Sequence, residues 1–273
     1  MSPELVHVTL EADGVARVEL DKPPVNAFDL DLTLALAEAV RQLAGSDARA
    51  AVFSGRGRCL GAGGDIKWMR DRTVARDGAT LRRFFRTIQS VFDDIDRLPI
   101  PTIAAIQGIA LGGGLEVALA CDLRIATEDA RIGFPEATIG LIPAAGGTTR
   151  LTEIVGRPRA IELMATGRML TAVEAYELGL VNRVAASDGL AAATDELLGE
   201  VLRSTRAALT AVKDCVRTRI EDGRLAAFRL ERGLAERLAF DPDAVERLES
   251  FYQRSARKTT RPQPELQGAR DGG

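Results

Sequence analysis

One histidine, three cysteines and four lysines are the scarcities of this sequence, and each excludes a class of chemistry. The histidine, His7, sits in a strand-like N-terminal stretch (LVHVTL), with no motif around it that would support a Ser-His-Asp or Cys-His relay. A metal site built on histidines lacks its ligands for the same reason. Cys59, Cys121 and Cys215 are far apart and form no CxxC pair, which argues against a disulfide framework and against a zinc site. Arginine makes up 32 of the 36 basic residues, yet the net charge is -3 and the pI near 5.5. That balance does not suit a protein whose binding is dominated by nucleic-acid phosphates. No apolar run approaches the roughly 18 residues that span a bilayer, and the N-terminus shows no signal pattern. A protein without membrane attachment, cytoplasmic in location, is expected. Acid–base chemistry is left to carboxylates, Lys, Tyr or Cys.

What is present is ordinary globular composition, 46% hydrophobic and 27% charged over 273 residues. Leu5–Leu10 and Val15–Leu20 read as strands split by the turn signal Asp13-Gly14. Apolar residues at Leu32, Leu36, Ala39, Val40 and Leu43 give Asp29–Ala44 a helical period, which Gly45 is placed to end. Strand-like Ala50–Ser54 leads into a glycine-rich segment, Gly55–Gly64. A helix over about Thr80–Arg97, a strand at Thr102–Gln107, a helix ending near Cys121 and a strand at Leu123–Thr127 follow. The alternation predicts βαβ crossovers and a parallel sheet. From Thr148 onward the pattern is almost wholly helical, with helices over Thr171–Leu178, Ala191–Val216 and Leu225–Ala239. Asp241 reads as the N-cap of a last helix with Pro242 at its first position, and Thr259–Gly273 as a flexible tail.

Three glycine clusters stand at strand-to-helix junctions: Gly61-Ala62-Gly63-Gly64, Gly112-Gly113-Gly114 and Gly146-Gly147. Such clusters serve either as plain tight turns or as places where free N–H groups at a helix start meet a negative oxygen. A dinucleotide fingerprint is excluded, because Gly55 and Gly57 are followed by Leu60 where the third glycine belongs. Two acids flank these turns. Glu116 lies in the first turn of an otherwise apolar helix (LGGGLEVALACD), as a dipole-compensating starter or as a functional acid. Glu136 follows Pro135 among Phe134, Ile139, Leu141 and Ile142, as a surface loop acid or as a carboxylate whose pKa apolar surroundings raise.

The strings GAGGDIKWM, IAAIQGIALGGGLEVALACDLRIA and FPEATIGLIPAAGGTTRL, in that order, resemble the crotonase (enoyl-CoA hydratase/isomerase) superfamily. The likeness runs from about Leu5 to Lys258, and includes PPVNAFDL early and AYELGLVNRV after Thr171. It implies an α/β fold: a spiral core of repeated ββα units over residues 1–200, then a C-terminal helical trimerisation region over 201–258, with the tail from 259 to 273. It further implies an acyl-CoA substrate, a homotrimer or a hexamer of two trimers, and no cofactor, CoA being part of the substrate.

By the same resemblance, backbone amides of Ala62 and Gly113 form an oxyanion hole for the thioester oxygen. Glu116 and Glu136 hold a water that adds across the 2,3 double bond of a 2-enoyl-CoA. Gly63, Gly64 and Asp65 fall beside the CoA ester, although Asp65 reads equally as a structural loop acid. Trp68 and Met69 are read as acyl-pocket lining or as core. Two departures from the family pattern are visible: Ala144 stands where relatives commonly have glycine (IPGAGG), and Gly64 stands where GAD is common. The closest alternatives are a Δ3,Δ2-enoyl-CoA isomerase, which relies on the acid at Glu136 alone, and a methylglutaconyl-CoA hydratase-like protein that binds RNA. For the latter, the arginine-rich stretch Arg70–Arg86 reads as the counterpart of a basic RNA-binding helix, as a solvated helix face, or as a neighbour of the CoA phosphates.

Overall fold

The computed structural model describes residues 4–259. The first hairpin pairs β1 (Val6–Leu10) with β2 (Val15–Leu20) antiparallel, and its turn is closed by the Val15 amide donating to Asp13 Oδ1 at 3.0 Å. Helix α1 (Leu30–Ala44) begins where Asp29 accepts from the Leu32 amide, and its apolar stripe Leu32, Leu36, Ala39, Val40, Leu43 is buried. Then come β3 (Ala50–Gly55), α2 (Ile66–Val74), α3 (Gly78–Asp96), β4 (Thr102–Ile106), β5 (Ile109–Leu111) and α4 (Gly113–Ala120). After these lie β6 (Leu123–Thr127), β7 (Arg131–Gly133), a short 3-10 helix (Glu136–Ile139), α5 (Gly147–Val155), α6 (Arg157–Thr166), β8 (Leu170–Thr171), α7 (Ala172–Glu177) and β9 (Arg183–Ala185). Four helices complete the described chain: α8 (Leu190–Val201), α9 (Arg206–Glu221), α10 (Arg224–Leu238) and α11 (Pro242–Thr259).

Two sheets result. The larger has the order β1-β2-β3-β4-β6-β9, parallel apart from the first pair; the smaller is β5-β7-β8. Each turn of the chain gives one strand to the large sheet, a shorter one to the small sheet, and then a helix. The β4-β5-α4 unit and the β6-β7-α5 unit show this directly, and a one-residue bridge from Gly61 to Ala110 does the same for β3 and α2. This is the ββα spiral expected. Its interior is apolar: Phe28 and Phe92 are fully buried and meet edge-to-face, with ring centroids 5.6 Å apart.

Several elements differ from the sequence reading. The region after Thr148 is not purely helical, because β8 and β9 cross it; strands of two or three residues leave no period to detect. The single helix expected over Ala191–Val216 is two, since Thr205 Oγ1 accepts from the Ala208 amide and starts α9 afresh. The last helix is capped as expected, with Asp241 Oδ1 accepting from the amides of Asp243 and Ala244. The chain divides into two compact units, Met1–Thr210 and Ala211–Gly273, the division falling inside α9. Apart from Thr259, which ends α11, the tail expected to be flexible lies outside the described residues. Among the described residues no helix is long and apolar enough to cross a membrane.

Candidate active site

Helix α4 is the deepest helix of the first unit, with every residue from Gly113 to Ala120 buried. It can approach the neighbouring turn this closely because Gly114 has no side chain: a Cβ there would lie 2.1 Å from the Gly61 carbonyl oxygen. Glu116, on the first turn of that helix, is 4% exposed. Its Oε1 accepts from the amides of Ala145 (2.6 Å) and Gly147 (2.9 Å), the latter being the first residue of α5. The carboxylate is therefore held by the N-terminal end of a helix, an anion-favouring position. Burial nonetheless dominates and pushes its pKa up to about 7. The Gly147 and Ala145 amides and the Arg150 guanidinium pull the other way, and the nearby Glu136 charge adds to the rise.

Glu136 opens the 3-10 helix directly after Pro135. Burial raises its pKa as well, and its Oε2 is buried with no hydrogen-bond partner among the described residues. Its Oε1 lies over Gly112, where a Cβ would come within 2.5 Å of it; Gly112 also has φ +49, so glycine answers two demands at that position.

Glu116 and Glu136 line one cavity of about 190 Å³. Ala62, Gly63, Gly64, Gly112 and Gly113 form its backbone side, and Phe28, Met69, Phe84, Phe85 and Ile88 part of its apolar wall. The sequence reading thus brings both acids and both glycine turns to one place. Two refinements are needed. The Ala62 amide, expected as an oxyanion donor, is not free: it donates to the Val25 carbonyl at 3.0 Å. The amides of Gly64 and Gly113 have no acceptor among the described residues, so the free donor of the first turn is two residues further on. Phe28 pairs with the flanking groups, donating to Gly63 O and accepting from Asp65 N, and this leaves the Gly64 N–H unused.

Asp65, the second refinement, is not part of the cavity wall. Its Oδ1 accepts from the Trp68 amide to cap α2, and its Oδ2 pairs with Lys22 Nζ at 3.1 Å. Burial pushes its pKa up, but the Trp68 amide and Lys22 outweigh that and hold it below the ordinary value. Lys22 also contacts Asp29 Oδ2 at 2.6 Å, so one ammonium ties the caps of α1 and α2 together. The sequence reading did not single out Lys22 or Asn26. The Asn26 side chain donates to the Cys59 carbonyl at 3.0 Å and accepts from the Lys22 amide, which shapes the turn leading to Gly61. An asparagine set among the apolar residues of PPVNAF was the available signal, and it is 1% exposed.

Met69 lines the cavity, whereas Trp68 packs on Phe84 with Arg72 over its ring. The arginine-rich stretch runs from the end of α2 into α3, and Arg70 there pairs with Asp71. His7 lies off the site, its Nε2 within 2.9 Å of Asp21. Ala144, the departure from the family loop, lines the cavity and does not have positive φ, so its methyl group adds no backbone strain.

The enoyl-CoA hydratase/isomerase family model matches residues 11–258. The chain belongs to that family. Among curated relatives it is similar to the enoyl-CoA isomerase/hydratase fer4 of Mycosarcoma maydis, 39% identical over 207 residues that cover 76% of this chain and 74% of that protein. Among solved structures it is similar to the enoyl-CoA hydratase of Bacillus anthracis, with 32% identity, a TM-score of 0.85, and coverage of 92% of this chain and 96% of that one. A Mycobacterium smegmatis enoyl-CoA hydratase gives 31% identity and a TM-score of 0.85, again covering 92% and 96%. Enoyl-CoA hydratase/isomerases act on acyl-CoA substrates, and the α/β architecture described above is the crotonase fold.

Proposed function

We propose that this enoyl-CoA hydratase/isomerase family member is a hydratase, adding water reversibly across the 2,3 double bond of a 2-enoyl-CoA to give the 3-hydroxyacyl-CoA. The observation that carries the reading is that two carboxylates and two unused amides share one cavity. The thioester oxygen accepts from the Gly64 and Gly113 amides, which stabilise the negative charge that builds there as water adds. One such preorganised donor is worth about 2.7–4 kcal/mol in the transition state. Glu116, ionised, takes a proton from the water as its oxygen bonds carbon 3. Glu136, protonated, delivers its proton to carbon 2. Proton exchange between the acids then restores the starting pair. Burial shifts both carboxyls upward, Glu116 to about 7, which keeps a proton available to the pair. No cofactor enters, because CoA is part of the substrate.

An isomerase would need only the acid at Glu136, and the amide-held Glu116 is what favours hydration over that reading. The test is loss of the conjugated enoyl-thioester absorbance with crotonyl-CoA. Loss at enzymatic rate supports the hydratase; no loss, with turnover of a 3-enoyl-CoA, replaces it by an isomerase.

The proposed assembly is a homotrimer or a pair of trimers in the cytoplasm. The second unit supports self-association through its apolar surface: on α11, Val245, Leu248 and Phe251 recur at helical spacing and are 51%, 62% and 66% exposed. Light scattering on the eluting protein would give the mass, and a monomer at micromolar concentration would end that part of the proposal.

A further inference from the structure

We propose that Gln89 is a positioning residue for Glu116, acting through the single peptide group that joins Ala144 to Ala145. From α3, its side-chain amide donates to the Ala144 carbonyl at 2.7 Å. The N–H of that same peptide group, on Ala145, donates to Glu116 Oε1 at 2.6 Å. A peptide unit is planar and trans, so its C=O and N–H point in opposite directions and turn together. Holding the oxygen from one side fixes the direction of the N–H on the other. A carbonyl that accepts a hydrogen bond also leaves its own N–H a stronger donor. Gln89 therefore sets both the aim and the strength of the shorter of the two bonds to the carboxylate.

The next peptide is held by an α5 side chain that is tied to the same helix. Arg150 reaches the Ala145 carbonyl at 3.4 Å and is itself anchored to Asp96 at 3.3 Å and Asp93 at 3.7 Å. Its guanidinium lies against Gly146, where a Cβ would meet Nη1 at 2.2 Å. Gln89, Asp93 and Asp96 stand at i, i+4 and i+7, one stripe of α3. That stripe grips the loop whose amides hold Glu116. The charged groups around Glu116 are Glu136 from the 3-10 helix and Arg150 from α5, with Asp93 and Asp96 of α3 reaching it only through Arg150; β4 (TIAAI) and β5 (IAL) contribute none.

The catalytic meaning of this device rests on the hydratase reading, but its test does not. Carboxyl carbons of 13C-glutamate-labelled protein are titrated by NMR without substrate, Glu116 being assigned by the signal lost in Glu116→Gln. In Gln89→Met, which keeps the length and removes the donor, the Glu116 midpoint rises by roughly 0.5–1 pH unit, the size of one lost hydrogen bond. Gln89→Lys restores a donor and leaves the midpoint at or below that of the wild type. With crotonyl-CoA, Gln89→Met lowers kcat roughly threefold to tenfold, with KM little changed. An unmoved midpoint in Gln89→Met overturns the proposal, as does an equal upward shift in Gln89→Lys or a lowered melting temperature with no shift. Absence of hydration by the wild type would count against the reading of the reaction alone.

Discussion

The carboxylate of Glu136 rests on the α-carbon of Gly112, so closely that a methyl group at residue 112 would come within 2.5 Å of its Oε1. An acid on one turn of the spiral is thus seated by bare backbone on another, and the second acid lies on the helix that starts at the next residue. Gly112→Ala is expected to push Glu136 from its seat and to strain a backbone at φ +49. Hydration of crotonyl-CoA should fall by roughly 10²-fold or more, as for loss of a general acid. Near wild-type turnover by this variant would show that Glu136 does not work from the observed position.

Replacing either acid by its amide removes a proton carrier without changing its volume much. Glu116→Gln and Glu136→Gln are each expected to lower kcat by roughly 10²–10⁴-fold. Affinity for a saturated acyl-CoA, followed by calorimetry, should change little, since the amides of Gly64 and Gly113 remain. A variant that kept full turnover would lose its assigned role.

The Glu116 pKa of about 7 gives a definite pH dependence. If Glu116 is the proposed base it must be ionised, so kcat for hydration should decline below about 7, by roughly tenfold per unit well below it, and decline again at higher pH once Glu136 loses the proton it delivers. Stability runs the other way. The folded pKa lies above the ordinary value of 4.5, so the folded protein holds this proton more tightly than the unfolded chain. The contribution is complete below about 4.5 and is lost as pH rises toward 7. Glu116→Gln escapes that loss. It is expected to be more stable than the wild type at pH 8, by on the order of 1–3 kcal/mol, with the gain vanishing near pH 5. Thermal melts at the two pH values measure this, and an equal offset at both would contradict it.

Asp65 offers a contrast between holding the fold and touching the substrate. Asp65→Ala removes the cap of α2 and one partner of Lys22. The expected cost is about 1 kcal/mol of stability, seen as a lower melting temperature. Acyl-CoA affinity should stay within about twofold. A tenfold loss of affinity with an unchanged melting temperature would return Asp65 to the binding site.

Much of this was legible from residues alone because strong local signals agreed with the final packing. The stripe from Leu32 to Leu43 ahead of Gly45, and the Asp241-Pro242 start of α11, needed no knowledge of the third dimension. The glycine turns and the two acids were legible through their resemblance to a family. What escaped notice depends on distant partners. Strands β8 and β9 exist only because neighbours are there to pair with them. That the Ala62 amide is spent on Val25, leaving Gly64 free, is a matter of which way successive peptides face. Gln89 is an exposed glutamine on a helix, a residue that leaves no mark in a sequence.

The loop beside Glu116 also contains two neighbouring positions under opposite rules. Residue 144 has no positive φ and lines the cavity, while Gly146 sits at φ +100 with the Arg150 guanidinium against it. Drift at the first can resculpt the chamber at no conformational expense; drift at the second is barred. Substitution beside this acid is therefore tolerated at residue 144 and barred at residue 146, so the cavity wall can change while the frame around the carboxylate stays as it is.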